Sequence, residues 1–394
     1  MGAVDGLTEG MKITVAGAGA MGCRFGAALF EAGHHVTLLD GWREHVTAVN
    51  ESGLRVTDAT GTRTLPVPAV LFPNPTHPAP NPTHPAPNPT HPAPDPAHPA
   101  PHPAHSVGAV DGPADLVIVF AKATATAAVA AAATATGAIG PSTLVLTLQN
   151  GLGNIEALLA HVPPGRLLAG TTTLGTELLG PGHIRALGSG ETVLGPLPDR
   201  SRPAGALPGG PPPGTAAADA AGPGAFGGVA AEPAERIALA LYDAGITVRT
   251  SANALEVIWA KVAFNCVMNS LCSIASIPVS ALARYDGFDA LAESVLDEVA
   301  AVARAEGVTV DTAAALGLMR AQFDPSASGD HLASMLQDLM NGRPTEIAHL
   351  NGAIAARAAA RGVDAPVNTT ISRLIGLLEA TWARRVNRLH PEAP

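Results

Sequence analysis

The chain has 394 residues, a formal net charge of −10 and an apolar fraction of 47%. That length suggests two or three domains. The acidic balance and the 3% aromatic content argue against a basic nucleic-acid footprint and against stacking platforms for single strands.

Residues 1–10 carry no pattern. The region beyond alternates strands and helices. Strands are expected at 12–16 and 35–39, with helices at 20–32, closed by Gly33, and at 42–50. Two more strands are expected at 115–120 and 143–147, with helices at about 124–136 and 152–161. Shorter strands follow at 166–173, 183–186 and 192–195, then a helix at 235–244 and a strand at 246–249. From Ala254 onward the pattern is helical throughout. No basic segment followed by an apolar one opens the chain, so no signal peptide is expected. The apolar stretch at 115–140 is interrupted by Lys122 and several threonines. A buried strand and helix is expected there, not a membrane span.

Two inserts interrupt the pattern. Residues 73–105 repeat with period seven: Asn74, Asn81, Asn88, Asp95 and His102 recur in register, each followed by proline. His77, His84, His91, His98 and His105 share the period. Such proline density predicts an extended, polyproline-like, disordered segment. A functionless slippage repeat fits better than a metal site or an interaction module. Residues 198–234 form a second insert, rich in Pro, Gly and Ala and also expected to be disordered. Long insertions in loops cost little closure entropy. The expected division is 11–252 for an α/β dinucleotide-binding domain carrying both inserts, and 253–394 for an all-helical domain.

Gly17, Gly19 and Gly22 form a GxGxxG directly after a strand and at the start of a helix. In that context the motif predicts a Rossmann-type site. Gly17 makes the tight turn, Gly19 admits a pyrophosphate and Gly22 allows close packing. Ala20 and Met21 open the helix whose N-terminus would face the anion. Asp40 ends the second strand, where an acid takes a ribose hydroxyl and favours NAD. Arg43 lies three residues on and would suit a 2′-phosphate, hence NADP. Asp40 is almost as well explained as a cap for the following helix. Lys122 and Asn150 sit at C-terminal ends of strands, where ligand crevices form. Asn150 is equally explained by an ordinary turn.

The chain has three lysines, Lys12, Lys122 and Lys261, against twenty arginines. Lysine can release a proton near working pH and arginine cannot. Lys261, Asn265 and Asn269 fall four residues apart on one face of a predicted helix. That helix is apolar almost all round, and buried polar groups need partners. A proton donor beside two amides suits reduction of a carbonyl. Ser334 and Glu346 form a second cluster. Pro344 suits the first turn of a helix reaching about Arg361, which would put Glu346 near the helix N-terminus. Glu346 alone would be read as complementing the dipole. The three cysteines, Cys23, Cys266 and Cys272, show no CxxC spacing and are expected as reduced, packed thiols in a cytoplasmic protein.

Taken in order, these motifs resemble the ketopantoate reductase (2-dehydropantoate 2-reductase) family from Lys12 to about Leu378, outside the inserts. The resemblance rests on the glycine loop, Lys122, Gln149-Asn150-Gly151 and Trp259-Ala-Lys261 with Asn265 and Asn269. It extends over Ser334 to Asp338 and Arg343-Pro-Thr-Glu346 to Asn351-Gly352. It implies Lys261 and Glu346 as catalytic residues, and Asn265, Asn269 and Ser334 as substrate-binding residues. Lys122 and Asn150 would stand on the cofactor side. The implied reaction is NADPH-dependent reduction of 2-dehydropantoate to (R)-pantoate, in pantothenate and coenzyme A biosynthesis. A small 2-oxo acid would be the substrate, with no metal, nucleic acid or membrane partner; a homodimer is compatible with the reading. Val279 stands where many members carry an asparagine, and Asp40 where many carry a basic residue. Both differences point towards an alternative, an NAD-dependent D-2-hydroxyacid dehydrogenase acting on a bulkier 2-oxo acid. A non-catalytic dinucleotide sensor is the alternative of another class.

Overall fold

The computed structural model describes residues 10–72, 110–198, 233–323 and 332–384. The repeat at 73–105 and nearly all of the 198–234 insert, with their expected disorder, lie outside the described residues.

The first part runs β1 (Lys12–Ala16), α1 (Ala20–Glu31), β2 (His35–Asp40), α2 (Arg43–Ser52), β3 (Leu54–Asp58), β4 (Gly61–Leu65) and β5 (Ala69–Leu71). It continues with β6 (Leu116–Val119), α3 (Thr126–Ala135), β7 (Leu144–Thr147), α4 (Asn154–Leu159) and β8 (Leu167–Thr172). Then come β9 (Gly175–Gly180), β10 (His183–Leu187), β11 (Thr192–Pro196), α5 (Pro233–Asp243) and β12 (Val248–Thr250). Helix α5 begins at Pro233, so the last two residues assigned to the second insert are helical. Proline suits that first position because its missing N–H would have no helical partner.

Eight strands form one sheet in the order β12-β11-β8-β7-β6-β1-β2-β5. Every neighbouring pair from β5 to β8 is parallel, and β11 runs antiparallel to β8. Strands β6 and β7 are buried at each position. Helices cover both faces of a parallel sheet, so its central strands read as apolar runs without alternation. One core, including Phe25, Leu38 and Ile237, lies on one face; a second, including Val129, Val145 and Leu158, lies on the other. Strand order reverses between β1 and β6. The loops after these two strands therefore border one crevice, the usual ligand position of such a sheet.

A second sheet, in the order β4-β3-β10-β9, was not anticipated from the sequence. It packs beside α1. Arg24 of α1 donates to the carbonyls of Gly175, Leu187 and Gly188 and so ties the two sheets together.

The second part is helical: α6 (Ala254–Ala275), α7 (Phe288–Ala305), α8 (Thr312–Ala321), α9 (Ser334–Met340), α10 (Asn351–Arg361) and α11 (Pro366–Thr381). Asn253 starts α6 by accepting the Leu255 amide at 3.0 Å. Among the described helices α6 alone is long and apolar enough to cross a membrane, but most of it is buried within the fold. Trp259, Val262, Val267 and Met268 lie in its core. Full burial of such side chains contributes about 1.5–3 kcal/mol each. Asn351 locks the helices together. Its amide donates to the Cys266 carbonyl and to Asn368, and its oxygen accepts the Ser270 hydroxyl at 2.6 Å.

The helix expected from Pro344 to Arg361 is shorter. A 3-10 turn occupies Ile347–His349, and regular helix begins at Asn351. Leu350, with φ −112° and ψ −111°, breaks the path. Glu346 therefore precedes a short turn and does not sit in the first turn of a long helix.

Candidate active site

The glycine loop joins β1 to α1. Gly17 has φ +96°, and a Cβ there would lie 2.4 Å from the Ala121 nitrogen in the loop after β6. A Cβ on Gly22 would lie 2.0 Å from the Gly17 carbonyl oxygen. These two glycines are required by the fold. Gly19 differs: its φ is −67°, and nothing lies within 4 Å of an added Cβ. No contact inside the protein explains that glycine, and the open space above it is where a pyrophosphate approaches such a loop. Helix α1 begins there with no side-chain cap and no acid in its first turn. The first amides, including those of Ala20 and Met21, remain free to meet an anion. These residues fit a dinucleotide.

Asp40 extends from the end of β2 into this loop. Its Oδ2 accepts the Ala18 amide at 2.7 Å and its Oδ1 accepts the Trp42 amide at 2.8 Å. The carboxylate thus organises the loop and the entry to α2 together. Arg43 is exposed at the start of α2, within reach of the same region. Behind the loop, the Cys23 thiol donates to the Ala18 carbonyl and lies 3.4 Å from His45 Nε2. Burial pushes the thiol well above its usual range, so it is a packing group and not a nucleophile. His45 Nδ1 accepts the Gly182 amide at 3.1 Å, and burial lowers the pKa of the ring. All three cysteines are free and buried.

The loop after β6 carries Lys122. Its ammonium contacts Asp338 Oδ2 of α9 at 2.6 Å, and the next amide, Ala123, donates to Glu346 Oε1 at 3.3 Å. Both carboxylates come from the helical part. Gln149, at the end of β7, is a structural brace: its amide donates to the Ala121 carbonyl and to Thr126. Asn150 accepts the Asn154 amide through its backbone carbonyl, and its own side chain makes no hydrogen bond among the described residues.

Helix α6 brings Lys261, Asn265 and Asn269 to one face, as their spacing requires. Asn269 donates to the Ser334 hydroxyl at 3.4 Å. Asn265 is 4% exposed, yet its amide has no partner among the described residues. Lys261 makes no hydrogen bond or ion pair among them either; its ammonium lies 5.8 Å from the centroid of the Phe264 ring. Desolvation pushes its pKa below the usual lysine value. Glu346 does not pair with Lys261. Its described hydrogen bond is the one to Ala123.

Sequence reasoning named Asp338 within a motif and gave it no role. Its partner Lys122 is 216 residues away, a pairing that no local spacing signals.

A dinucleotide loop on a doubly wound sheet, beside a helical domain that carries a desolvated lysine and two amides on one helix face, defines an oxidoreductase that uses a nicotinamide dinucleotide. Family models for ketopantoate reductase PanE/ApbA match residues 13–199, and for its C-terminal part residues 253–379. The chain belongs to the ketopantoate reductase family. A 2-dehydropantoate 2-reductase of Halobacterium salinarum is 30% identical over 371 residues, covering 94% of this chain and 99% of that one. Another, from Lactococcus lactis subsp. lactis, is 28% identical over 366 residues, covering 93% and 97%. Among solved structures, a D-mandelate dehydrogenase with NADH and anilino(oxo)acetate is similar with a TM-score of 0.74 and 28% identity. The similarity covers 95% of this chain and 100% of that one. A PanE/ApbA family ketopantoate reductase from Ralstonia eutropha gives a TM-score of 0.69 at 29% identity, with the same coverage.

Proposed function

We propose that the protein reduces 2-dehydropantoate to (R)-pantoate with NADPH, using Lys261 as the proton donor. The observation that carries this reading is the α6 face. A desolvated lysine stands one turn from the Asn265 amide, and among the described residues neither has a hydrogen-bond or ion-pair partner. Both groups therefore keep hydrogen-bonding capacity that a ligand entering the cleft would use. When bound, a reduced nicotinamide dinucleotide would supply the hydride. As negative charge develops on the ketone oxygen, Lys261 meets it and gives up its proton. Desolvation favours that release, because it destabilises the charged lysine. Asn265, Asn269 and Ser334 would hold the polar groups of the substrate, and Glu346 would accept from its hydroxyl.

Two observations favour a second reading, an NADH-dependent reductase of a bulkier 2-oxo acid. Asp40 fixes a negative charge in the loop where a 2′-phosphate would approach. Val279 is buried and offers no hydrogen bond to a substrate hydroxyl. The D-mandelate dehydrogenase with NADH is a structural relative of this type. Comparing kcat/KM for 2-dehydropantoate and for phenylglyoxylate, each with NADH and NADPH, tests both. The first reading expects 2-dehydropantoate with NADPH to give the highest value. Preference for the aromatic acid with NADH would overturn it in favour of the second. Cofactor binding without turnover of either acid would leave a non-catalytic sensor.

A further inference from the structure

We infer that Asp338 is a positioning residue that holds Lys122 in the cofactor crevice. The inference rests on the reading that Lys122 stands on the cofactor side. Asp338 occupies the last turns of α9, one turn beyond Ser334. Its side chain is 6% exposed, while those of Lys122 and Arg343 are 51% and 53% exposed. One sealed carboxylate therefore anchors two open cations, on Oδ2 at 2.6 Å and on Oδ1 at 2.9 Å. Each cation keeps donors that the carboxylate does not use.

A lysine at a loop end has four rotatable bonds and loses considerable entropy when fixed. Here the fixing is done before any ligand arrives. The carboxylate itself is held by two cations and by burial, so it makes a stiff anchor. The backbone agrees: the Arg343 amide donates to the Asp338 carbonyl at 2.8 Å, which ends α9 tightly. The Lys122–Ala123 step is gripped at two points, by Asp338 on the side chain and by Glu346 on the following amide. That step lies directly after Ala121, against which Gly17 of the dinucleotide loop packs. The helical domain thus sets the geometry of a crevice wall that belongs to the other domain.

The test is a double-mutant cycle of Asp338→Asn and Lys122→Ala in the full chain. It reads calorimetric Kd for NADH and NADPH, steady-state kcat and KM, and Tm. Positioning predicts that Asp338→Asn raises the Kd and KM of the preferred dinucleotide about tenfold. The kcat would stay within about threefold, since binding and not chemistry is weakened. It also predicts that the double variant binds no more weakly than Lys122→Ala alone. Restoring the carboxylate as Asp338→Glu should recover part of the affinity. A purely structural role would lower Tm and leave the two effects additive, and that result would overturn the inference. Unchanged Kd in Asp338→Asn, with weakened binding in Lys122→Ala, removes the positioning role and leaves the Lys122 reading intact. Unchanged Kd in Lys122→Ala removes both. Should Asp338→Asn fail to fold, Asp338→Glu with and without Lys122→Ala carries the same cycle: additive effects there, or a Kd equal to wild type, would equally sink the proposal.

Discussion

Asp40 accepts the Ala18 amide at 2.7 Å, so the acid at the end of β2 and the glycine loop form one unit. This pins a negative charge beside the glycine loop, at the end of β2 where the ribose of a dinucleotide would lie. The charge would oppose a 2′-phosphate approaching there, and Arg43 would offset it. Asp40→Asn keeps one acceptor for the loop and removes the charge. It should raise kcat/KM for NADPH relative to NADH by about tenfold. Arg43→Ala should shift the same ratio the other way. If neither substitution moves the ratio, cofactor choice is not decided at this corner.

The three loop glycines should separate in a stability and binding experiment. Gly17→Ala and Gly22→Ala force a Cβ into backbone atoms, and Gly17 also has a positive φ. Each should destabilise the protein by about 1–3 kcal/mol in urea unfolding. Gly19→Ala meets nothing in the protein. It should fold with an unchanged midpoint and bind dinucleotide at least tenfold more weakly, by about 1.4 kcal/mol. Normal affinity in that variant would show that the open space at Gly19 is not the pyrophosphate site.

Lys261→Ala should lower kcat by about two to four orders of magnitude, the usual contribution of a general acid. The same lysine sets a pH prediction. Desolvation lowers its folded-state pKa from the usual 10.5. The acid must be protonated to act, so kcat should fall as pH rises through a value below 10.5. For stability, the native state disfavours the charged form. That penalty is full below the folded pKa and fades as pH climbs towards the unfolded value. Lys261→Met should therefore raise Tm at neutral pH while losing activity, and the gain should shrink in alkaline buffer. A lower Tm at neutral pH would mean that the ammonium has a favourable partner after all.

Asn351 offers a test of the helical core away from the chemistry. Asn351→Ala strands the Ser270 hydroxyl and the Asn368 amide oxygen inside the protein. About 1–3 kcal/mol of stability should be lost, read from a shifted urea midpoint. A midpoint within error of wild type would show that the network relaxes freely.

The parallel core of the sheet was legible because β6 and β7 are buried at each position, and β1 at all but its first, so they read as largely apolar runs. The second sheet was not. Leu54–Asp58 and Gly61–Leu65 are five-residue strands with exposed threonines and arginines, so their alternation is too brief to stand out. The turn signals were present: Ala59-Thr60-Gly61 between β3 and β4, and Gly180-Pro181-Gly182 between β9 and β10. The Lys261, Asn265 and Asn269 face was legible because helical spacing is local information. The Lys122–Asp338 contact was not, because it depends on how α9 docks on the loop after β6. The overlong helix from Pro344 had a different cause. Proline marks a permitted helix start without requiring one, and Leu350 takes the backbone out of line first.

Near the base of the cleft, Leu152 donates its amide to the His349 carbonyl at 2.8 Å, and His349 Nδ1 lies 3.0 Å from the Leu152 carbonyl. Gly151 packs so closely that a Cβ would lie 2.6 Å from that His349 oxygen. Arg357 adds a tie, bridging Glu156 of the sheet domain and Glu306 of the helical one. The seam at Leu152 is held by a main-chain bond, whereas the grip on Lys122 is ionic. The sheet and helical domains are therefore fastened at two separate places, by main chain at Leu152 and His349 and by ionic contact at Lys122.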